Sequence, residues 1–256
     1  MHISQSRLLK GVLGALVVAA TLVASAFASD IPPTPDRTRL EHVAIRLAAH
    51  LPLHIIAFGS SSTEGVGASS IATTYPTRLL VSLTAALPPR QHVRVVNLGI
   101  GGNDADDMAL RLPAVIAQHP DLIIWQTGSN DPLRNVPLDR FVQETIAGVQ
   151  AIRAAHIDLM LMEPQLCKTL DRQPTSVLYR DALRAIGEGM DVPLVRRYDL
   201  MRAWLADGSL TYTQMLSPDG LHMADAGYDR LAQAVAADIV HRAAQPVMAM
   251  DTTQRR

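Results

Sequence analysis

Five short apolar runs alternate with longer amphipathic segments, and this alternation constrains the fold more than any other feature. The runs begin near residues 53, 93, 122, 157 and 193, and each is bounded by polar or glycine-rich residues. Runs of this length between turn residues are typical of buried strands. Strands that alternate with helices form βαβ units with right-handed crossovers. The chain therefore predicts an α/β fold, with a parallel sheet of about five strands and helices on both faces, in a single domain over residues 29–245.

Residues 1–28 have the pattern of a secretory signal peptide. Two cations precede an uncharged apolar run, and the small residues Ala26 and Ala28 follow it. The run is shorter than the ~20 residues that a membrane span needs, although an uncleaved anchor is the alternative interpretation. We predict cleavage after Ala28, a secreted or periplasmic protein, and no stable membrane span after cleavage.

The charge and cysteine content exclude several classes of function. The formal net charge is −1, and removing the signal segment removes two more cations and no acidic residue. A slightly acidic body argues against a nucleic-acid partner, which requires a basic face. The single cysteine, Cys167, cannot close an internal disulfide, and no Cys/His group has zinc spacing. Residues 246–256 lack periodicity, which predicts a disordered tail.

The first apolar run ends at Gly59-Ser60-Ser61-Ser62-Thr63-Glu64-Gly65. Gly59 allows a sharp exit from the strand, and a serine placed there lies at the carboxyl edge of the sheet, where α/β proteins bind ligands. This position suits a nucleophilic hydroxyl. Two other interpretations remain open: the serines and threonine are ordinary loop and capping residues, or the loop cradles a phosphate.

A serine nucleophile needs a base, and His222 is the best candidate. Asp219 lies three residues earlier in Ser217-Pro218-Asp219-Gly220-Leu221-His222. In a turn that leads into a helix, this spacing lets the carboxylate reach the Nδ1 atom of the ring and leaves Nε2 facing the serine. Alternatively, Asp219 belongs to a Pro-Asp-Gly turn and His222 only begins a helix.

Ester chemistry also requires donors for an oxyanion. Gly102 follows the second apolar run and offers a backbone N–H, while Asn130 follows the third and offers a side-chain amide. A glycine at a helix start and an asparagine in a turn are the ordinary alternatives.

These four segments together resemble the sequence blocks of the SGNH/GDSL hydrolases. The serine segment resembles the first block, Asn97–Gly102 the glycine block, Gly128–Asp131 the Gly-x-Asn-Asp block, and Asp219–His222 the final Asp-x-x-His block, in family order. The resemblance implies a flavodoxin-like three-layer α/β/α sandwich and a serine esterase. It assigns the nucleophile to Ser61, the oxyanion donors to the Ser61 and Gly102 N–H groups and Asn130, the base to His222 and its orienting carboxylate to Asp219.

One residue departs from the family pattern. The family has aspartate before the nucleophile, whereas Ser60 stands there in this chain. The change removes a carboxylate that could steady the loop, but it removes no group that transfers a proton. We therefore expect altered activity rather than loss of activity. Ser60 and Ser62 are alternative nucleophiles, and the spacing to Thr63 and Gly65 favours Ser61.

The predicted activity is hydrolysis of carboxylic esters through an acyl-enzyme, without a metal or organic cofactor. The predicted partner is a small-molecule or glycan ester; acetylated glycans, short-chain esters and lysophospholipids are the substrate classes that export favours. Three alternatives are an acyltransferase using the same residues, a non-catalytic flavodoxin-like phosphate or flavin binder, and an inactive glycan-binding relative.

Overall fold

A parallel sheet of five strands lies at the centre of the protein, in the order β2-β1-β3-β4-β5. The structure, a computed structural model, describes residues 39–245; the predicted signal segment 1–28 and tail 246–256 lie outside these residues. The strands are β1 (Leu53–Gly59), β2 (Val93–Gly99), β3 (Leu122–Gln126), β4 (Asp158–Met162) and β5 (Leu194–Val195).

Helices cover both faces of this sheet. None of those within residues 39–245 is long and apolar enough to cross a membrane. In chain order they are α1 (Glu41–Ala48), α2 (Ser61–Glu64), α3 (Tyr75–Ala86), α4 (Ala105–Ile116), α5 (Leu138–Ala154), α6 (Lys168–Asp171), α7 (Ser176–Gly189), α8 (Arg197–Ala206), α9 (Tyr212–Met215) and α10 (Asp225–Ala244), with a 3₁₀ turn at Ile71–Thr73.

Alternate residues of β1 show how the three layers are held together. Ile55 and Ala57 pack on the face that carries α1, α3, α8 and α10. Ile56 and Phe58 pack on the opposite face, against α4, α5 and α7. All four side chains are fully buried, as expected for a central parallel strand. The predicted flavodoxin-like three-layer sandwich is therefore confirmed.

The strand order determines where a site can form. After β1 the chain crosses to β2 on one side of the sheet, and after β2 it returns to β3 on the other side of β1. The loops after β1 and β3 therefore diverge, and this switch point is where open α/β sheets bind ligands. Ser61 follows β1 and Asn130 follows β3, so the topology brings both loops to this crevice.

Several predicted boundaries were wrong. Apolar residues at helical spacing in the sequence predict a helix from Asp36 to His50, but Arg39 and Leu40 are not helical and α1 begins at Glu41. Leu40 has an extended backbone because its side chain enters the core. The fifth apolar run of the sequence predicts a strand over residues 193–197, but β5 is limited to two residues, because the chain turns into α8 at Arg197.

Asp158, at the start of β4, makes stability depend on pH. Burial raises the pKa of its carboxyl to about 6, although a 3.0 Å hydrogen bond from the Val43 N–H opposes the shift. Because the folded pKa lies above the unfolded value, the group's stabilising contribution is present at low pH and is lost as pH rises through about 6.

We expect Asp158→Asn to reduce this pH dependence, because the amide imitates the protonated acid. The free energy of unfolding from urea titrations at pH 5 and pH 8 should change by roughly 1 kcal/mol less in the variant than in the wild type. All other titrating groups are common to both proteins and cancel in the comparison. An equal change in the two proteins would contradict the assignment.

Candidate active site

Ser61 is the first residue of α2, directly beyond the end of β1. A Cβ atom at Gly59 would lie 2.4 Å from Thr63 Oγ1, so only glycine allows the chain to turn this sharply. The turn buries the neighbouring Ser60 and Ser62 and leaves Ser61 partly exposed. Of the three serines in this segment, Ser61 is therefore the one presented to a substrate.

Ser61 lies within hydrogen-bond distance of His222, although the two residues are 161 positions apart in the chain. The distance from Ser61 Oγ to His222 Nε2 is 2.8 Å, and that from His222 Nδ1 to Asp219 Oδ2 is 2.6 Å. The structure therefore brings together the three residues that the sequence suggested as nucleophile, base and orienting acid. In this arrangement the imidazole can take the serine proton while the carboxylate fixes its tautomer.

The turn before α10 fixes the Asp219 carboxylate. Its Oδ1 atom accepts hydrogen bonds from the backbone N–H groups of Leu221 (2.8 Å) and His222 (2.9 Å). Partial burial opposes ionisation, but these bonds and the one to the His222 ring hold the pKa of Asp219 well below its usual range. Asp219 is therefore ionised at neutral pH.

Gly102 and the loop around it face Ser61 from the end of β2. A Cβ atom at Gly101 would lie 3.8 Å from that of Ser61. The Gly101 N–H donates to Glu64 Oε2 at 2.7 Å, and the Gly102 carbonyl accepts from Arg134 Nη1 at 2.9 Å. Gly102 has a positive φ of 79°, which favours glycine, and open space beside it. These contacts fix the peptide of Gly102 and leave room for a ligand next to it.

Asn130 is held in a similar way at the end of β3. Its Nδ2 atom donates to the Asn103 carbonyl at 2.8 Å, which uses one of its two N–H bonds and leaves the other for a ligand. Ser61, as the first residue of a helix, has a backbone N–H without an acceptor in that helix. The three predicted oxyanion donors therefore lie on the loops that follow β1, β2 and β3 at the carboxyl edge of the sheet.

Gln126, the last residue of β3, holds the serine loop in place through hydrogen bonds. Its Oε1 atom accepts four hydrogen bonds, from the Ser60 N–H (3.0 Å), Ser60 Oγ (3.0 Å), Ser62 Oγ (3.2 Å) and Thr63 Oγ1 (3.2 Å). This residue was not predicted from the sequence. A polar side chain that ends an otherwise apolar strand was the available indication.

Cys167 is not a candidate nucleophile. Its side chain is buried, and burial raises the pKa of the thiol, which disfavours the reactive thiolate. Within residues 39–245, no group of His, Cys, Asp or Glu side chains is arranged to hold a metal ion.

Comparison with known proteins gives a family match over most of the chain. The model of the non-GDSL lipase-like family matches residues 30–245. Its description agrees with the first block, which reads Gly59-Ser60-Ser61-Ser62 rather than Gly-Asp-Ser-Leu.

Curated relatives of the chain are esterases. It is 28% identical over 163 residues to thioesterase 1/protease 1/lysophospholipase L1 of Escherichia coli K12, covering 62% of this chain and 70% of the relative. It is 24% identical over 157 residues to an arylesterase of Vibrio mimicus (61% and 74%). An acetylxylan esterase of Geobacillus stearothermophilus is 33% identical over 111 residues (43% and 50%).

Solved structures share the fold. A two-domain esterase active on acetylated mannans superposes with a TM-score of 0.69 at 19% identity; the match covers 84% of this chain and 56% of that protein. A variant of Axe2, an acetyl xylan esterase from Geobacillus stearothermophilus, superposes with a TM-score of 0.62 at 26% identity, covering 72% and 93%. With the family match over residues 30–245, the chain belongs to the non-GDSL lipase-like family and is a carboxylic ester hydrolase of the SGNH/GDSL type.

Proposed function

We propose that the protein is an exported serine esterase whose nucleophile is Ser61. The observation that carries the proposal is the continuous pair of contacts from Ser61 Oγ to His222 Nε2 (2.8 Å) and from His222 Nδ1 to Asp219 Oδ2 (2.6 Å). A non-catalytic phosphate or flavin binder would use the serine loop but has no need of this pair.

In the first half of the reaction, Ser61 Oγ attacks the ester carbonyl carbon and His222 Nε2 takes the hydroxyl proton. The carbonyl oxygen becomes an oxyanion, which accepts hydrogen bonds from the Ser61 and Gly102 N–H groups and the Asn130 amide. As the tetrahedral intermediate collapses, the C–O bond to the alcohol breaks and His222 gives its proton to the leaving oxygen. The ionised Asp219 stabilises the imidazolium between these steps.

In the second half, water replaces the alcohol. His222 takes a proton from the water, whose oxygen attacks the acyl-enzyme carbonyl, and then returns a proton to Ser61 Oγ as the carboxylic acid leaves. An acyltransferase would follow the same course with a second alcohol in place of water. Product analysis with added alcohol acceptors separates the two activities.

We propose short-chain esters of polar alcohols, acetylated glycans in particular, as the substrate class. The Asp219 side chain is 45% exposed and that of Arg134, beside Gly102, is 50% exposed, so the site has an open and polar rim. An acetyl group on a large glycan can approach such a site without entering a deep tunnel. Relatives named for acetylxylan and acetylated mannans support this choice.

Lysophospholipids are the second candidate class. Two large apolar side chains near the site are exposed: Val66, in the loop that approaches His222, and Ile100, beside Gly101. These side chains could contact an acyl chain, and one relative carries the name lysophospholipase.

A panel of substrates tests the proposal and separates the two classes. We expect the wild-type protein to release acetate from acetylated xylan and p-nitrophenyl acetate faster than it cleaves long-chain p-nitrophenyl esters or lysophosphatidylcholine, with Ser61→Ala as the background. Faster cleavage of the long-chain substrates would favour the lipid class. Absence of turnover on every ester would contradict the proposed function.

Asn130→Ala should lower kcat by about 10²–10³-fold with little change in KM, because the amide contributes mainly in the transition state. Steady-state kinetics on p-nitrophenyl acetate measure both constants. Asn135→Gly is the matched control: Asn135 is exposed and has a positive φ of 56°, which glycine adopts freely. A rise in KM with unchanged kcat in Asn130→Ala would contradict the oxyanion role.

Export is proposed from the composition of residues 1–28. Fractionation of producing cells, followed by intact mass measurement, tests it. A mature protein that begins at Ser29 and is found outside the cytoplasm would support export, and a full-length cytoplasmic protein would contradict it.

A further inference from the structure

Beneath the candidate nucleophile, five buried side chains form a closed ring of hydrogen bonds. Arg197 donates from Nη1 to Ser62 Oγ (2.9 Å) and from Nη2 to Gln165 Oε1 (2.7 Å). Ser62 Oγ donates to Gln126 Oε1 (3.2 Å), and Gln126 Nε2 donates to Ser129 Oγ (3.2 Å). Ser129 Oγ donates to Gln165 Oε1 (3.3 Å), which closes the ring. We call these residues the buried polar ring. Each is at most 5% exposed.

The buried polar ring joins the segments that carry the candidate catalytic groups. Ser62 follows the nucleophile, and Ser129 precedes the oxyanion donor Asn130. Gln165 extends the connection to the turn of the base, since its Nε2 atom donates to the Leu221 carbonyl at 3.0 Å. A shift of any one segment would therefore break a bond in the ring.

Arg197 is the member of the ring whose burial is least favourable, because its side chain is charged. Its guanidinium is 1% exposed, and its bonds go to uncharged oxygens: Ser62 Oγ, Gln165 Oε1 and the Glu163 carbonyl (2.9 Å). The Glu163 carboxylate pairs instead with Arg184 at 2.8 Å. Burial lowers the pKa of Arg197 to about 10, which leaves it charged at neutral pH. A buried cation without a direct carboxylate partner carries a large desolvation cost, which an uncharged side chain of similar volume would avoid.

We propose that Arg197 is a positioning residue for the esterase reaction, which acts through Ser62 and Gln165. The inference rests on the proposed function. The planar guanidinium donates in fixed directions to the nucleophile segment and to Gln165 at the same time. It therefore holds Ser61, the Asn130 loop and the His222 turn in fixed positions relative to one another. Lysine, with a single nitrogen, cannot reproduce this geometry.

Ser62→Ala tests the ring without removing the buried charge. We expect about a 10- to 100-fold fall in kcat and in the rate of covalent labelling by a fluorophosphonate, at nearly unchanged KM, because a small misplacement of a nucleophile has effects of this size. Ser60→Ala is the matched control. Ser60 is also a buried neighbour of Ser61 and is bonded to Gln126, but the hydrogen bonds of Arg197 go to Ser62, Gln165 and Glu163 and not to Ser60. It should lose less labelling rate than Ser62→Ala.

Arg197→Lys provides the second test. We expect a similar fall in labelling rate, and the double variant with Ser62→Ala should lose no more than the larger single variant, because both changes break the same connection. Arg202→Met, an exposed arginine on the same helix, should behave as wild type. Thermal unfolding of every variant shows which of them fold. If Arg197→Lys does not fold, the comparison of Ser62→Ala with Ser60→Ala tests the proposal without it.

Two outcomes would overturn the inference: equal labelling rates in Ser62→Ala and Ser60→Ala, or a lowered melting temperature in Ser62→Ala with wild-type kcat and labelling rate. Failure of the proposed function gives a different result: either the wild-type protein shows no turnover on any ester, or Ser61→Ala retains labelling and turnover, whatever the ring variants do.

Discussion

Replacing Ser61 with alanine should lower kcat on p-nitrophenyl acetate by about 10⁵–10⁶-fold, since the substitution removes the atom that attacks the carbonyl. The residue is partly exposed, and alanine fits a helix start beside Gly59 without a clash, so we expect a folded protein with wild-type thermal stability. The measurement is kcat on the purified variant, with its melting temperature determined in parallel.

The control for this experiment is Ser209→Ala, which removes the hydroxyl of an exposed serine from the loop between α8 and α9. It should retain wild-type turnover. Retention of more than about one hundredth of wild-type activity by Ser61→Ala, in a preparation free of contaminating esterase, would contradict the role of Ser61.

Asp219→Asn should lower kcat by about 10⁴-fold, and the reason lies in the turn. The Asp219 Oδ1 atom is occupied by two backbone N–H groups, so asparagine would keep its oxygen there and turn its NH₂ group toward His222 Nδ1. Nδ1 must then accept, and the ring proton moves to Nε2. In that tautomer the imidazole cannot take the proton of Ser61.

Kinetics on a short ester at neutral pH test this prediction, with Asp181→Asn, an exposed carboxylate on α7, as the control. The fall should occur in kcat without loss of folded structure. A variant that keeps more than a tenth of wild-type kcat would show that Asp219 does not set the tautomer of His222.

Most of the fold follows from local sequence features. Leu122–Gln126 is apolar at four successive positions, which marks a strand buried on both faces, and the glycines after β1 and β2 mark where those strands end. The boundaries were less predictable because they depend on tertiary packing. Leu40 has helical spacing but lies outside α1, since its side chain is directed into the core.

The candidate site was predictable in part. Ser61, Gly102 and Asn130 stand in short motifs that follow β1, β2 and β3, so a topology that places those strand ends together predicts their meeting. Asp219 and His222 stand in a turn before α10, and their role was suggested by their own spacing and by the family resemblance. Gln126 and Arg197 are different, because each supports the site through a hydrogen-bond partner that is distant in sequence. Gln126 bonds to Ser60, 66 positions away, and Arg197 bonds to Ser62, 135 positions away. The polar end of an apolar strand is the one local sign of Gln126, and no local pattern distinguishes Arg197 from other arginines in the chain. Only the folded structure identifies the partners of both residues.

The position of Ser61 is the central claim, and covalent labelling tests it directly. The wild-type protein is treated with a fluorophosphonate, and the adduct is located by intact mass measurement and peptide mapping. We predict one adduct per chain, on Ser61, with loss of esterase activity in proportion to labelling and no adduct in Ser61→Ala. An adduct on another residue that abolishes activity, or full activity after complete labelling of Ser61, would contradict the claim.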